Sequence, residues 1–454
     1  MAARVREMTS GKPAGLIFFF ALPLMLGNVF QQMYTMVDTI IVGQVVGVEA
    51  LAALGVCEWI NWLVQGTVTG FTQGFSIIIS QRFGAENWDE LRKSVSMSAL
   101  LALLIAAVVT GISLLGVKPL LILLNTPQNI MGLSLSYMRV LFGGLIAYTA
   151  YNTAAAILRA MGDSRTPLFA MIVASFVNIV LDLLFVVVFH WGVIGAAVAT
   201  VIAQACSFGF CILALRRIPV LQMNREDWRV EKRTARQLFT MGIPICFQNV
   251  IISVGGLAVQ YVVNGFGILF VAGFTATNKL YGVLEVAATS FGFSMATYTG
   301  QNYGAKKYER IKTGARSAVI MAIATALTIS AVMILFGRNV LMLFISGTPS
   351  EVEQVLTIAY TYLCYMCSML FVLYLLYVYR SALQGLGNTI VPMISGIAEL
   401  IMRVGAAIIL PQIIGQKGIY FAEILAWLGA EVILMTVFYL SLHRLLRQGK
   451  ATPQ

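Results

Sequence analysis

The chain has 454 residues, of which 59% are hydrophobic and only 11% are charged, and its mean hydropathy is +0.86. Soluble domains typically carry about 25% charged residues, so this composition excludes an ordinary soluble protein. The net charge of +11 could suggest a nucleic-acid partner. The positions of the basic residues along the chain instead indicate how the chain is oriented in a membrane, and we expect no nucleic-acid partner.

Twelve apolar stretches follow one another along the chain, each close to the ~20 residues that cross a hydrocarbon core of about 30 Å. None alternates with period two, and lipid offers no partner for unpaired backbone groups, so we predict that all are helices. The sequence therefore predicts an all-α membrane protein with twelve transmembrane helices. The predicted spans are 15–43, 53–80, 94–117, 131–156, 168–190, 194–215, 238–263, 270–300, 314–337, 354–379, 392–411 and 420–442.

Basic residues are concentrated in alternate connections between these spans. One set of connections, in which we count Arg380, holds 24 of the 30 Lys and Arg residues. The positive-inside rule places this set, both termini and the long 216–237 connection in the cytoplasm. We therefore expect a multi-pass protein of the plasma (inner) membrane with cytoplasmic termini.

The chain contains an internal repeat in which three anchors recur in the same order, offset by 220 to 225 residues. Each half holds six spans, and because six is even, both halves begin on the same side as parallel repeats. We predict an N-terminal six-helix lobe at 1–215, a cytoplasmic connecting segment at 216–237 and a C-terminal lobe at 238–454. Repeats of this kind typically surround a substrate site in secondary transporters. The anchors are Pro23 and Pro244, Gln81-Arg-Phe-Gly-Ala85 and Gln301-Asn-Tyr-Gly-Ala305, and Leu158-Arg-Ala-Met-Gly-Asp-Ser164 and Leu383-Gln-Gly-Leu-Gly-Asn-Thr389.

The first helix of each half contains a proline, Pro23 or Pro244. Proline removes a backbone donor from the helix interior, so we expect both helices to be kinked there.

Two aspartates, Asp38 and Asp182, lie inside apolar spans of the first half. A carboxylate in hydrocarbon is costly enough to indicate a functional site. Residues four apart share one helix face, so Tyr34 lies beside Asp38, and Asn178 lies beside Asp182.

Tyr137 and Thr200 lie at a similar depth in spans 4 and 6. At 1.5 Å per residue, Asp38, Asp182, Tyr137 and Thr200 lie about 8–12 Å below the predicted outer surface. We therefore expect them to converge inside the first lobe.

This set of side chains favours cation binding. Two nearby carboxylates in a poorly solvated cavity cannot both stay ionised at low cost, so a proton is one expected ligand. Sodium is the other, because a hard cation prefers oxygen ligands. Those oxygens would come from Asp38, Asn178, Asp182 and Thr200. A structural alternative is that Asn178 and Asp182 only hydrogen-bond each other or the backbone to hold helices together.

The second half carries other intramembrane charges. Glu285 is either a ligand in the substrate cavity or the partner of Lys279, and Glu399 and Arg403, four residues apart, are expected to form a structural pair. Val259 and Ala407 stand about where the two aspartates should recur. We therefore expect ion coupling to be confined to the first half.

Four motifs of the first half resemble the multidrug and toxic compound extrusion (MATE) family. The resemblance extends over essentially the whole chain and is greater to the DinF and MepA branches than to the NorM branch, whose members carry acids in spans 7 and 10. Here 238–263 and 354–379 contain no Asp or Glu. The motifs are Gln32-Met-Tyr-Thr-Met-Val-Asp38-Thr-Ile-Ile-Val-Gly43, Gln81-Arg-Phe-Gly-Ala-Glu86, Leu158-Arg-Ala-Met-Gly-Asp163 and Asn178-Ile-Val-Leu-Asp182.

The resemblance implies a V-shaped pair of six-helix lobes that exports cationic or amphipathic organic compounds by alternating access, in exchange for H⁺ or Na⁺. It implies a cation-coupling site at Asp38, Asn178, Asp182 and Thr200, with Tyr34 and Tyr137 lining that cavity. We expect a monomer in membrane lipid that is not an enzyme and has no cofactor besides the coupling ion. The competing hypothesis is a flippase for polyprenyl-linked saccharides or lipids, which should have a cationic cavity, whereas the predicted cavity is acidic.

Overall fold

The structure is a computed structural model that describes residues 7–124, 126–345 and 348–451. Regular secondary structure in these residues is helical throughout. The first half contains α1 (Pro13–Val45), α2 (Val48–Gly84), α3 (Trp88–Leu123), α4 (Gln128–Gly143), α5 (Leu145–Ala160), α6 (Arg165–Asp182), a π-helix (Leu183–Val188) and α7 (Gly192–Leu215). The second half contains α8 (Lys232–Asn264), α9 (Ile268–Gly304), α10 (Tyr308–Met342), α11 (Pro349–Ser368), α12 (Leu370–Gly385), α13 (Ile390–Ile414) and α14 (Phe421–Ala451). Short 3₁₀ turns at Pro219–Leu221, Arg225–Trp228 and Gly415–Tyr420 complete the described chain.

All twelve predicted spans are helical. Seven helical stretches in the described residues are long and apolar enough to cross a membrane, or up to nine if each of two bent pairs forms one span. One of the seven, Ile390–Gln448, contains both α13 and α14. The remaining two predicted spans correspond to α2 and α9, each of 37 residues.

Two of the spans that the sequence predicts as single helices are bent. α4 and α5 meet at 46°, and α11 and α12 meet at 50°. Gly144 lies at the first bend, where an added Cβ would come within 2.2 Å of Val201 Cγ2 on α7. A glycine is required there because the backbone approaches α7 more closely than a side chain allows.

The prolines that should kink the first helix of each half lie inside helices without ending them. α1 continues through Pro23, and α8 continues through Pro244. The kink angle at these two positions stays a prediction.

The repeated motif after the fourth span of each half adopts the same turn in both halves. Gly162 has φ +83° and Gly387 has φ +85°, a left-handed conformation that glycine adopts without strain. The next residue caps the following helix in each case. Asp163 Oδ1 accepts from the backbone N–H groups of Arg165 and Thr166, both at 3.0 Å, and Asn388 Oδ1 accepts from Val391 N–H at 3.2 Å. The local structure therefore supports the internal repeat.

The described chain forms two compact units. The first contains residues 7–8 and Leu22–Asn249, and the second contains Thr9–Ala21 and 250–451. In the first unit, the segment after α7 packs against α3, where Arg92 and Asp227 lie 3.6 Å apart. In the second unit, Ser294 of α9 donates to the carbonyl of Ile17 at 2.9 Å. The predicted lobe boundaries at 215 and 238 stay predictions.

A row of small residues brings α2 and α8 into backbone contact within the first unit. Gly66, Gly70 and Gly74 are four residues apart and so share one face of α2. A Cβ on Gly70 would lie 2.6 Å from Cys246 Cα, and one on Gly74 would lie 2.4 Å from Gly242 Cα. Small residues at such spacing are typical of tightly packed membrane helices.

We expect Gly74→Ala to destabilise the protein by about 1–3 kcal/mol, because the added methyl group must push the two backbones apart. The measurement is thermal unfolding of purified protein in detergent. Gly111→Ala on α3 is the matched control, since a Cβ there meets nothing within 4 Å. Equal unfolding temperatures for the two variants would contradict the backbone contact.

Candidate cation site in the first unit

The two aspartates of the first unit are buried on separate helices. Asp38 on α1 has 7% of its surface exposed, and Asp182 at the end of α6 has 0%. Asn178, one turn before Asp182, is also fully buried at 0%. The four-residue spacing therefore places an amide and a carboxylate together in the interior.

The structure brings the two carboxyl groups close enough to interact electrostatically. Tyr137 of α4 interacts with both of them, and Tyr34, one turn before Asp38, interacts with Asp38. Three helices thus supply polar groups to one region, as the depth argument predicts.

Five buried side-chain atoms of Asp38, Asn178 and Asp182 have no hydrogen-bond partner among the described residues. They are Asp38 Oδ1, Asn178 Oδ1 and Nδ2, and Asp182 Oδ1 and Oδ2. A buried polar group without a partner costs about 1–3 kcal/mol, and more when it is charged. Helix-joining hydrogen bonds from Asn178 and Asp182, the structural alternative, are absent among these residues. The arrangement is therefore better suited to binding a ligand than to holding helices together.

Thr200 on α7 is half-buried. Its Oγ donates to the carbonyl of Ala196 at 3.0 Å, which leaves the hydroxyl oxygen available as an acceptor. Its place beside the carboxylates and the Asn178 carbonyl oxygen, as a ligand for Na⁺ or a proton, stays a prediction. The described chain holds no group of three or more His, Cys, Asp or Glu side chains arranged for a metal ion.

An apolar cluster lies one turn from the polar groups on each helix. It includes Val42, Val186 and Ala196, which are four residues from Asp38, Asp182 and Thr200 respectively. Residues at this spacing share a helix face. The cluster therefore separates the polar groups from the Val45 end of α1 by a layer of aliphatic side chains.

The π-helix begins directly after Asp182. Such segments are rare and frequently occur at functional sites. The apolar run 183–188 contains no sequence feature that distinguishes a π-helix from an α-helix, so this element is decided by tertiary packing.

Two glutamines lie near Tyr34, although neither is among the predicted site residues. The Tyr34 hydroxyl lies within hydrogen-bonding reach of the side-chain amides of Gln31 and Gln204. Gln204 follows Thr200 by four residues in an apolar span. That spacing is the signal that could have identified it.

We expect Asn178→Leu to leave stability within about 1 kcal/mol of the wild type, because it removes a buried amide that bonds to no described residue. Ion-driven transport should fall at least about tenfold if the amide oxygen is a ligand. The readouts are the unfolding temperature and uptake into proteoliposomes. Ser175→Ala, which removes a buried hydroxyl that donates to Met171 at 2.8 Å, is the control one turn away. A large loss of stability in Asn178→Leu would support a purely structural role.

In the second unit, Glu285 accepts a hydrogen bond from the Tyr377 hydroxyl. Lys279 is exposed, whereas Glu285 is half-buried. Six residues of helix separate them by about 600° of rotation, which places them on different faces. The structure therefore does not favour the Lys279 pair, and the place of Glu285 in the substrate cavity stays a prediction.

A buried ion network joins α12, α13 and α14. Arg403 lies 3.8 Å from Glu399 and 2.9 Å from Glu423, so the predicted Glu399–Arg403 pair is confirmed. Arg380 also pairs with Glu399. The prediction that Arg380 lies in a connection between spans is wrong, because Arg380 is inside α12 and only 6% exposed.

Comparison with known proteins gives a family match in both halves. The MatE family model matches residues 23–184 and 244–409, which is well over half of the chain. Among curated relatives, the probable multidrug resistance protein YpnP of Bacillus subtilis is 28% identical over 78% of this chain and 80% of its own length. The multidrug export protein MepA of Staphylococcus saprophyticus is 20% identical over 94% of this chain and 93% of its own length.

Solved structures share the fold. A MOP superfamily transporter from Pyrococcus furiosus, described as having a binding pocket of reverse polarity, superposes with a TM-score of 0.92 at 23% identity. The match covers 98% of this chain and 99% of that one. A MATE transporter in complex with MaL6 superposes with a TM-score of 0.91 at 23% identity, covering 97% and 98%. These structures show the shared fold, and the family model, which matches more than half of the chain, shows that this integral membrane protein belongs to the MATE family.

Proposed function

We propose that this chain is a secondary antiporter that exports cationic or amphipathic organic compounds in exchange for H⁺ or Na⁺. The observation that carries the proposal is the group of five buried, unpartnered polar atoms on Asp38, Asn178 and Asp182. An intramembrane ionisable group of this kind is typical of ion-coupled transport. The names of the relatives YpnP and MepA, which describe multidrug resistance and export, support a drug-like cargo.

In this proposal the coupling ion binds among the carboxylates of Asp38 and Asp182, the amide oxygen of Asn178 and the hydroxyl of Thr200. Tyr34 and Tyr137 line the same cavity, and Glu285 contributes to substrate binding in the second half. The termini lie in the cytoplasm, the protein works as a monomer in the plasma (inner) membrane, and substrate and ion use the binding region alternately as the two halves rock.

Energetics limit the stoichiometry of such an exchange. Expelling one monovalent organic cation against 100 mV costs about 2.3 kcal/mol, and one entering ion returns the same amount. A single coupling ion therefore contributes only its own concentration gradient. With two entering ions, one net positive charge would move with the membrane potential and add about 2.3 kcal/mol at 100 mV.

The test is uptake of a fluorescent organic cation by proteoliposomes under four conditions: a pH gradient, a sodium gradient, both or neither. We expect accumulation with at least one gradient and none without, and the effective gradient identifies the ion. Accumulation that ignores both gradients would contradict the antiporter.

The alternative function is a flippase for polyprenyl-linked saccharides or lipids. Such a substrate carries a pyrophosphate or phosphate, which two buried carboxylates would repel. Translocation of a fluorescent anionic lipid by the same proteoliposomes, without cation uptake, would favour the flippase.

A further inference from the structure

Not every intramembrane carboxylate in the described part of the second unit is paired with a cation. Glu399 and Glu423 contact Arg380 or Arg403, and Glu285 accepts from Tyr377. Glu431 on α14 is different. It is 7% exposed, and neither of its carboxyl oxygens has a hydrogen-bond partner in the part of the chain that the structure describes.

Arg380 is the cation that interacts with Glu431 electrostatically. One terminal nitrogen of Arg380 donates to Glu399, while its Nε is buried and has no partner among the described residues. The Glu431 carboxyl group and the Arg380 guanidinium therefore lie near each other in the interior, with no hydrogen bond between Glu431 and Arg380 Nε.

An ionised carboxylate buried without a hydrogen bond is very unfavourable. If Glu431 were ionised, bonding to the free Arg380 Nε would relieve that cost at once, because charge-assisted hydrogen bonds are the strong ones. If Glu431 is instead a neutral carboxylic acid, it can remain apart from Arg380 Nε without that cost. Glu431 thus has two arrangements: protonated and apart from Arg380, or ionised and bonded to it.

We propose that Glu431 is a second proton-binding site, located in the second unit, and that it carries one proton in each exchange cycle. The proposal rests on the antiport function proposed above. It differs from the sequence-based expectation that coupling is confined to the first half. That expectation rests on the positions of Val259 and Ala407, whereas this acid lies on a different helix.

The surroundings of Glu431 favour a proton over a metal cation. The titratable groups that interact with Glu431 are Arg380 and Tyr379 of α12. The neighbouring helices α13 and α14 also carry Glu399, Arg403, Glu423 and Tyr439. Tyr379 and Tyr439 hydrogen-bond each other at 3.0 Å. α10 and α11 also contact α14, but their charged residues lie near their ends. Sodium prefers several oxygen ligands, and the adjacent guanidinium would repel it.

The test measures how many protons drive each substrate molecule. Proteoliposomes are loaded one pH unit more acidic than the bath, and the membrane voltage is clamped at zero with potassium and valinomycin. Each coupled proton then multiplies the equilibrium accumulation by about tenfold, since one pH unit is 1.36 kcal/mol. We expect about 100-fold accumulation by the wild type and about tenfold by Glu431→Gln. Glu353→Gln, on an exposed ion pair, should match the wild type.

Equal accumulation by the wild type and Glu431→Gln, or about tenfold accumulation by the wild type itself, would overturn the proposal. A wild type that shows no gradient-driven accumulation would overturn the antiport function instead. In every case, infrared spectroscopy tests the site itself. The carbonyl absorption of protonated carboxylic acids should lose one component in Glu431→Gln, and identical absorption by the two proteins would count against proton binding at Glu431.

Discussion

Replacing Asp38 with asparagine should lower ion-driven substrate accumulation about tenfold while the protein remains folded. The substitution keeps the size of the side chain and removes the negative charge that would bind H⁺ or Na⁺. Asp38 Oδ1 has no partner in the described residues, so the fold loses no internal bond. At one pH unit of gradient, the loss of one coupled ion lowers equilibrium accumulation by about tenfold.

The measurement is accumulation of a fluorescent organic cation in proteoliposomes, together with substrate exchange in the absence of any gradient. We expect Asp38→Asn to retain exchange and to accumulate about tenfold less substrate than the wild type. Asp89→Asn, whose side chain is 82% exposed at the start of α3, serves as the control. Unchanged accumulation in Asp38→Asn would show that this aspartate does not couple ion and substrate movement.

Replacing Glu399 with glutamine should produce the largest loss of stability. Glu399 is 3% exposed and lies between Arg380 and Arg403. If Glu399 lost its charge, Arg380 would stay buried without a carboxylate bonded to it. Breaking a buried ion pair by removing one partner costs about 3–5 kcal/mol, because the remaining charge is uncompensated.

Thermal unfolding in detergent provides the comparison. Glu353→Gln is the matched control, because Glu353 pairs with Arg338 at 2.6 Å and both side chains are exposed, at 61% and 48%. Exposed pairs contribute about 0–1 kcal/mol. If both variants unfold at the same temperature, the network around Glu399 does not stabilise the second unit. A double variant, Glu399→Leu with Arg380→Leu, should recover part of the loss.

The acidic groups of the first unit could be predicted because a charged residue inside a long apolar run is recognisable from the sequence alone. Asp38 and Asp182 interrupt apolar runs, and the spacing of Asn178 and Asp182 gives their shared face. The same reasoning finds the Glu399–Arg403 pair. It does not find Arg380, which is 19 residues from Glu399 along the chain and reaches it only through helix packing.

The sequence by itself determined that the chain is an all-helical membrane protein with an internal repeat and two acids buried in its first half. Hydrophobicity, helical period and charge asymmetry are local properties, so they can be read without coordinates. Only the tertiary structure decided which polar atoms lack partners, where spans bend, and where α2 and α8 touch. Those features depend on residues such as Gly144 and Val201, or Glu431 and Arg380, that are distant along the chain and meet only when helices pack.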